Sequence, residues 1–487
     1  MAAEAVRVKR PVVEERVFRF FRLVVFRTAV FLRISLRTVS TTPLTSSFMM
    51  SAILSLQQPK RFMAIELRML SVSKRCFNSR RTFSATFHMH ARFAIWRAEL
   101  AGKIFMRLIK KRVVLHFPGF EPLDGKAHRA RYERTARQSG KAWGFQAQLG
   151  EIDNRHGFAK FDVLAASDFW QTESRIHVFD HDVLVEQLSA KPAAKRIVDG
   201  FAACGSIIMD GGLVGYFRHA WRFGLFFTFP FVLMLLGLML MAVIALAPMG
   251  FGLNVRHMIW SLPAAAAFFY LFLSFAERFY TLHLFADWEM AVALGRMDRP
   301  EFDAWLERCA TTAREALLED ADEYVISSHS MGSSVAAHVV GLLLEKEPAL
   351  FDGKQVVFAS LGSAVLQCAL LSSAKALRAR VGLIARCRSV FWLDVHCLTG
   401  AIHFYKVPVV AAAGHPDAPQ ARMQFIRVKQ MLTPEHYKKI KLDFLRVHRQ
   451  YVLGPDLRAT FDFTLLTAGP VPAALVADGG LQKMPGL

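Results

Sequence analysis

The strongest chemical signal in the chain is the run Tyr324-Val325-Ile326-Ser327-Ser328-His329-Ser330-Met331-Gly332-Ser333-Ser334-Val335-Ala336. Its centre has the form small-x-Ser-x-Gly, with Ser328 where a glycine is usual and Gly332 two residues after Ser330. A β-branched run precedes it and an apolar, helix-compatible run follows. A serine on a sharp strand-to-helix turn projects its hydroxyl from the top of a sheet, and the strained backbone there tolerates only small residues two before and two after. The helix that follows points its N-terminus at the site, where its dipole favours negative charge. The pattern predicts a nucleophilic Ser330, with acyl transfer as its chemistry.

The elements that must position this serine follow from hydrophobic periodicity. Short buried-strand patterns occupy 112–116, 157–164, 175–179, 324–328, 354–360 and 388–395. The segment 298–318 reads as an amphipathic helix, with Asp298 as N-cap and Pro300 in the first turn. Another helix is expected over 333–345. Strands that alternate with helical patterns predict a mostly parallel α/β sheet with flanking helices.

The composition interrupts this pattern. No charged side chain occurs between Arg222 and Arg256, and none between His257 and Glu277. Each run matches the roughly 20 apolar residues that span a bilayer. The connector 250–257 is short, so a two-helix transmembrane hairpin over 223–277 is expected. Arg218, His219 and Arg222 precede the hairpin and Arg278 follows it, whereas Arg256 is the connector's lone Lys or Arg. The positive-inside rule then puts both flanks in the cytoplasm.

The formal net charge of the 487 residues is +21, but it is not spread evenly. Residues 1–110 hold 21 Lys and Arg against 5 Asp and Glu, and the remainder holds 40 against 35. The basic excess belongs to an Arg-, Ser- and Phe-rich N-terminal extension, 1–105, expected to lack a packed core. Its readings are a membrane-surface segment, a targeting peptide, or sequence upstream of a natural start at Met106. No nucleic-acid-binding motif accompanies the charge, which argues against a nucleic-acid partner. The six cysteines (Cys76, Cys204, Cys309, Cys368, Cys387, Cys397) lack metal-site spacing and read as free thiols. The segment 471–487, rich in Gly, Pro and Ala, is expected to be loose.

These motifs together resemble the α/β-hydrolase superfamily in its lipase and esterase style. The chain is similar to uncharacterised bacterial membrane proteins with a transmembrane hairpin inside such a domain. The resemblance covers about 112–470, split by the hairpin into 106–222 and 278–470. It rests on His116-Phe117-Pro118-Gly119-Phe120, Ser328-His329-Ser330-Met331-Gly332, Leu361-Gly362-Ser363, and Leu445-Arg446-Val447-His448-Arg449-Gln450-Tyr451.

The resemblance implies an oxyanion hole made by the amides of Phe120 and Met331. It implies a late histidine as general base, His448, with His403 in reserve among the 17 histidines. His329, adjacent to the nucleophile, is read as positional. The triad acid should end a strand between nucleophile and histidine. Relatives place an Asp near position 400, where this chain has Gly400, so Asp394 is the expected acid and Asp462 a weaker one. The implied activity is a membrane-anchored serine ester hydrolase in a bacterial inner membrane, its catalytic domain cytoplasmic. It would act on hydrophobic or lipid esters and need no metal or organic cofactor. An acyltransferase with the same serine and a catalytically impaired member of the fold remain alternatives. The substrate and the oligomeric state are not legible.

Overall fold

The computed structural model describes residues 108–483, apart from 156 and 401. The N-terminal extension 1–105 lies outside the described residues.

The first strand, β1 (Lys111–Phe117), is a run of Val, Leu and Phe buried on both faces, as a central parallel strand must be. Helix α1 (Gly125–Trp143) follows, capped by Asp124, whose carboxylate accepts from the Ala127 amide. Then come β2 (Gln146–Leu149), β3 (Asp153–Arg155), β4 (Phe158–Ala166) and β5 (Gln171–Phe179). The chain continues through α2 (Ala193–Met209), α3 (Gly212–His219), α4 (Trp221–Gly250), α5 (Met258–Ala276), α6 (Thr281–Arg296) and α7 (Pro300–Leu318). It returns to the sheet with β6 (Glu323–His329), α8 (Gly332–Lys346), β7 (Val356–Leu361), α9 (Lys375–Arg386), β8 (Val390–Cys397) and β9 (Arg422–Ile426). A one-turn helix, α10 (Phe444–His448), carries the late histidine.

The sheet order is β2-β4-β5-β1-β6-β7-β8-β9, with β3 on β4. From β5 to β9 every pairing is parallel, and β4 is antiparallel to its neighbours. The expected mostly parallel sheet with flanking helices is present. The chain leaves β1 toward β5 on one side and returns to β6 on the other. The carboxyl ends of β1 and β6 therefore flank a topological switch point, the usual place for a site in such sheets. One core, with α6 to α9, covers one face, and a second, with α1 and the C-terminal segment, covers the other.

Helices α4 and α5 are long and apolar enough to cross a membrane. Ser261 Oγ donates to the Ala245 carbonyl at 2.9 Å, and Gly237 lies against the Phe272 ring. This register sets residues 230–250 beside α5, a length of about 30 Å at 1.5 Å per residue. The first turns of α4 belong instead to the domain. Phe223 and Phe227 are buried against Trp288, Tyr216 and, for Phe223, Phe404. The apolar sequence run thus serves two environments, and the hairpin proper begins later than position 223.

The C-terminal segment is not loose through residue 483. Val471, Ala473, Val476 and Leu481 are buried. The cause is a fully buried ion pair between β1 and β6. Arg112 donates to Glu323 at 2.9 and 2.7 Å and to the carbonyls of Gly469 and Val471. The Ala473 amide completes the Glu323 carboxylate at 2.9 Å. A buried pair needs such additional partners to offset its desolvation, so this stretch must dock.

Candidate active site

Strand β6 is buried throughout, and so is α8 as far as Leu344, yet Ser330 between them is partly exposed. Ser330 has φ of 52°, one of four positive values at non-glycine residues among those described. That left-handed backbone costs a residue with a Cβ about 1–2 kcal/mol. Its neighbours hold it there. The Ser330 amide donates to the Leu361 carbonyl at 3.2 Å, and its carbonyl accepts from the amides of Ser333 and Ala364 at 3.0 and 3.1 Å. A Cβ on Gly332 would lie 2.2 Å from the Pro118 carbonyl oxygen and 2.3 Å from that of Phe117. Position 332 must therefore be glycine for the β1 turn to reach the elbow. Ser328 is fully buried, and its hydroxyl donates to the Ala359 carbonyl at 3.2 Å. This bond lets a serine stand where glycine was expected.

The turn after β1 is pinned by histidines. His181 Nε2 donates to the Gly119 carbonyl at 2.9 Å. His283, on α6, packs its ring 5.1 Å from the Phe120 ring. Among the described residues, the amides of Phe120 and Met331, the expected oxyanion donors, donate to no backbone carbonyl. His329 Nε2 donates to the His448 carbonyl at 3.3 Å, with the two rings 4.8 Å apart. His329 thus links the strand-to-helix turn to the segment that carries His448.

His448 is buried on α10 against Tyr451 and the end of β7. A Cβ at Gly362, where φ is 54°, would lie 2.9 Å from His448 Cε1 and 2.4 Å from the Tyr451 ring. Only glycine gives both rings that approach. Both ring nitrogens of His448 are buried without a hydrogen-bond partner. Burial, followed by the field of His329, holds its pKa well below the ordinary 6.5. The imidazole is neutral, the form a general base requires.

Asp394 is not brought to His448. β8 runs on to Cys397, which leaves Asp394 inside the strand rather than at its end. Ser360 Oγ donates to its Oδ1 at 2.7 Å and His396 Nε2 to its Oδ2 at 2.7 Å. The Lys406 amide donates in turn to His396 Nδ1 at 3.2 Å. Asp462 accepts through Oδ1 from Ser139 Oγ and the Leu465 amide at 3.0 Å each, and its Oδ2 is buried without a partner. The Gly400 position offers no room for an acid, since a Cβ there would meet the His403 ring at 2.6 Å. His403 is buried with neither nitrogen bonded, and burial drops its pKa to about 3.

The carboxylate whose field reaches both His448 and His329 is Glu121, directly after Phe120 in the β1 turn. Burial alone would raise Glu121, but the guanidinium groups of Arg131 and Arg449 outweigh it and hold the carboxyl at about 2. Glu121 was not singled out from the sequence. Its only signal there was its place next to Phe120. Among the described residues, no cluster of three or more His, Cys, Asp or Glu could hold a metal ion. The chain matches no protein-family model, no curated protein and no solved structure.

Proposed function

We propose that this chain is a membrane-anchored serine hydrolase of the α/β-hydrolase type. The observation that carries the reading is Ser330, a non-glycine residue at φ 52° between a buried strand and a buried helix, exposed where its surroundings are not. Such strain persists only where the surrounding structure enforces it, and it clusters at functional sites. The approach of the β1 turn to Ser330, and a neutral His448 packed on the adjacent His329 ring, support the same reading.

In the proposed reaction His448 accepts the Ser330 proton as Oγ attacks an ester carbonyl. The tetrahedral oxyanion is held by the Phe120 and Met331 amides, each worth about 10²–10³ in rate at comparable sites. The alcohol leaves with the proton returned by His448. Water, deprotonated by His448, then releases the acid and regenerates Ser330. The hairpin gives the site its address. Phe444, at the start of the helix that ends in His448, packs on Phe226 of α4 and on Tyr280. This packing supports a site near the hairpin base and hydrophobic acyl groups drawn from a bilayer. The basic flanks favour a cytoplasmic face for the domain.

A second reading, a hydrolase fold with impaired catalysis, is favoured by the unpartnered nitrogens of His448. Loss of acid orientation alone costs about 10⁴ in comparable triads. The two readings separate on labelling of the folded protein with a fluorophosphonate, in the wild type, Ser330→Ala and His448→Ala. Labelling that both substitutions abolish is the expected result. A folded wild type that stays unlabelled over hours sinks the hydrolase reading in favour of the second.

A further inference from the structure

Beside the histidine lies a cleft of about 530 Å³. Its walls carry Glu121, which follows the oxyanion-turn residue Phe120, and Arg449, which follows His448. Arg131 and Arg134 enter it from one face of α1, three residues apart, and Gln450 closes it from the other side. We propose that this cleft is a phosphate subsite, and that the esters taken by Ser330 carry a phosphate group a few atoms from the scissile bond. The substrate half of this proposal rests on the serine-hydrolase reading.

Charge is the first argument. Three guanidinium groups face one carboxylate. Glu121 binds Arg131 through Oε2 and the Nε of Arg449 through Oε1, at 2.6 Å for the latter. Arg449 commits only its Nε, so its two terminal amino groups remain for a ligand. Arg134 forms no ion pair among the described residues and is exposed. The nearby Asp456 carboxylate is fully engaged by Gln138, His436 and Thr433. The cleft is thus positive, and planar guanidinium forks suit phosphate oxygens.

The second argument is an unsatisfied polar group. Gln450 is 3% exposed, and its Oε1 has no hydrogen-bond partner. A buried amide without a partner is destabilising, and a hydroxyl beside a bound phosphate would satisfy it. The volume exceeds what a bare phosphate needs and falls in the range of small-molecule sites. A contrasting cleft of about 380 Å³ makes the point by its chemistry. There Lys191 is locked between Asp199 at 2.7 Å and Glu289 at 2.8 Å, and Arg299 also pairs with Glu289. Each Lys and Arg lining that cleft has a carboxylate partner, whereas Arg134 has none among the described residues.

Geometry supplies the third argument. The base segment has the apolar hairpin root, Phe226 and Tyr280, on one side and the basic cleft on the other. A substrate that fits both is amphiphilic, with its acyl chain toward the hairpin and its phosphate toward the arginines. A membrane phospholipid and a soluble acyl phosphoester share this chemistry.

The test uses the full chain in detergent micelles, with wild type, Arg134→Glu and Arg449→Gln. Binding of glycerol 3-phosphate, and of vesicles with and without phosphatidylglycerol, is titrated in a Ser330→Ala background, so it does not depend on catalysis. Hydrolysis is compared for a neutral butyrate ester and the same ester bearing a phosphate. Each cleft substitution is expected to weaken anion binding about tenfold or more. Each should lower kcat/KM for the phosphate ester alike, and Arg134→Glu should leave the neutral ester within about twofold. Arginine-dependent binding to vesicles but not to glycerol phosphate assigns the cleft to a lipid headgroup, and the reverse to a soluble ester. Binding without hydrolysis of either ester upholds the subsite and sinks the hydrolase reading. Anion affinity that is equal in wild type and both variants overturns the proposal.

Discussion

Ser330 occupies a backbone conformation that a glycine would adopt without strain, and the proposed chemistry accounts for a serine there. Replacing Ser330 with Gly relieves about 1–2 kcal/mol of left-handed strain and adds unfolded-state entropy of somewhat less than 1 kcal/mol. Ser330→Gly should therefore be more stable than Ser330→Ala by about 0.5–1 kcal/mol, read as a higher unfolding midpoint in denaturant. Ser330→Ala keeps the strain and should match the wild type within about 0.5 kcal/mol. An Ala variant as stable as the Gly variant would mean that the backbone is not strained there. The elbow was legible in the sequence because its determinants are local, small residues two before and two after the serine. His448 was placed by chain order and now lies beside His329. The acid was not legible, because the ring of His403, distant from Ser330 in sequence, fills the space at Gly400. Glu121 stayed hidden because its link to His448 is made through the fold.

Asp394 acts at the scale of the sheet. With Ser360 on β7 and His396 on its own strand, it ties two parallel strands to the 403–406 loop through the Lys406 amide. Trp392 Nε1 donates to the same Ser360 hydroxyl at 3.0 Å. Burial works against charge on His396, but Asp394 prevails and raises its pKa. Asp394→Asn should destabilise the protein by about 2–4 kcal/mol, since it leaves buried donors poorly matched. Fluorophosphonate labelling per folded molecule should stay unchanged. Loss of labelling in a variant that remains folded would return Asp394 to the site. The interior strands β1, β6, β7 and β8 were legible as apolar runs, because both of their faces are covered. The edge strands β2, β3 and β9 were not. Gln146–Leu149 and Arg422–Ile426 are half exposed and mix polar with apolar residues, so pairing, not composition, makes them strands. The C-terminal segment looked loose by composition because its anchor, the Arg112–Glu323 pair, lies far away in sequence.

For the whole molecule, the unusual investment is buried histidine. His116, His128, His329, His338, His403 and His448 are buried, and burial is the first cause that lowers the pKa of each. The values fall to about 3 for His128, His338 and His403 and about 4 for His329, and well below 6.5 for the other two. Below pH 6.5 the unfolded chain protonates these rings and the folded chain does not, so the unfolded state binds more protons and stability falls with falling pH. Each ring contributes up to about 1.4 kcal/mol per pH unit between 6.5 and its folded value. Fewer groups oppose this. Burial raises Asp287 and Asp462 to about 6, and Glu323 is also raised. In the range from about pH 6 to 4.5 the six lowered histidines outnumber these three carboxyls, so the balance is destabilising. The unfolding temperature should therefore drop steadily from pH 7 to pH 5. His403→Phe, which removes a ring with two unbonded nitrogens, should raise it and flatten its slope by about one proton. A flat or rising profile in the wild type would mean that these rings are charged in the fold. For the proposed enzyme the consequence is specific. His448 stays neutral and able to accept the Ser330 proton at pH values where the fold is already weakening, so loss of activity on the acid side should follow unfolding rather than titration of the base.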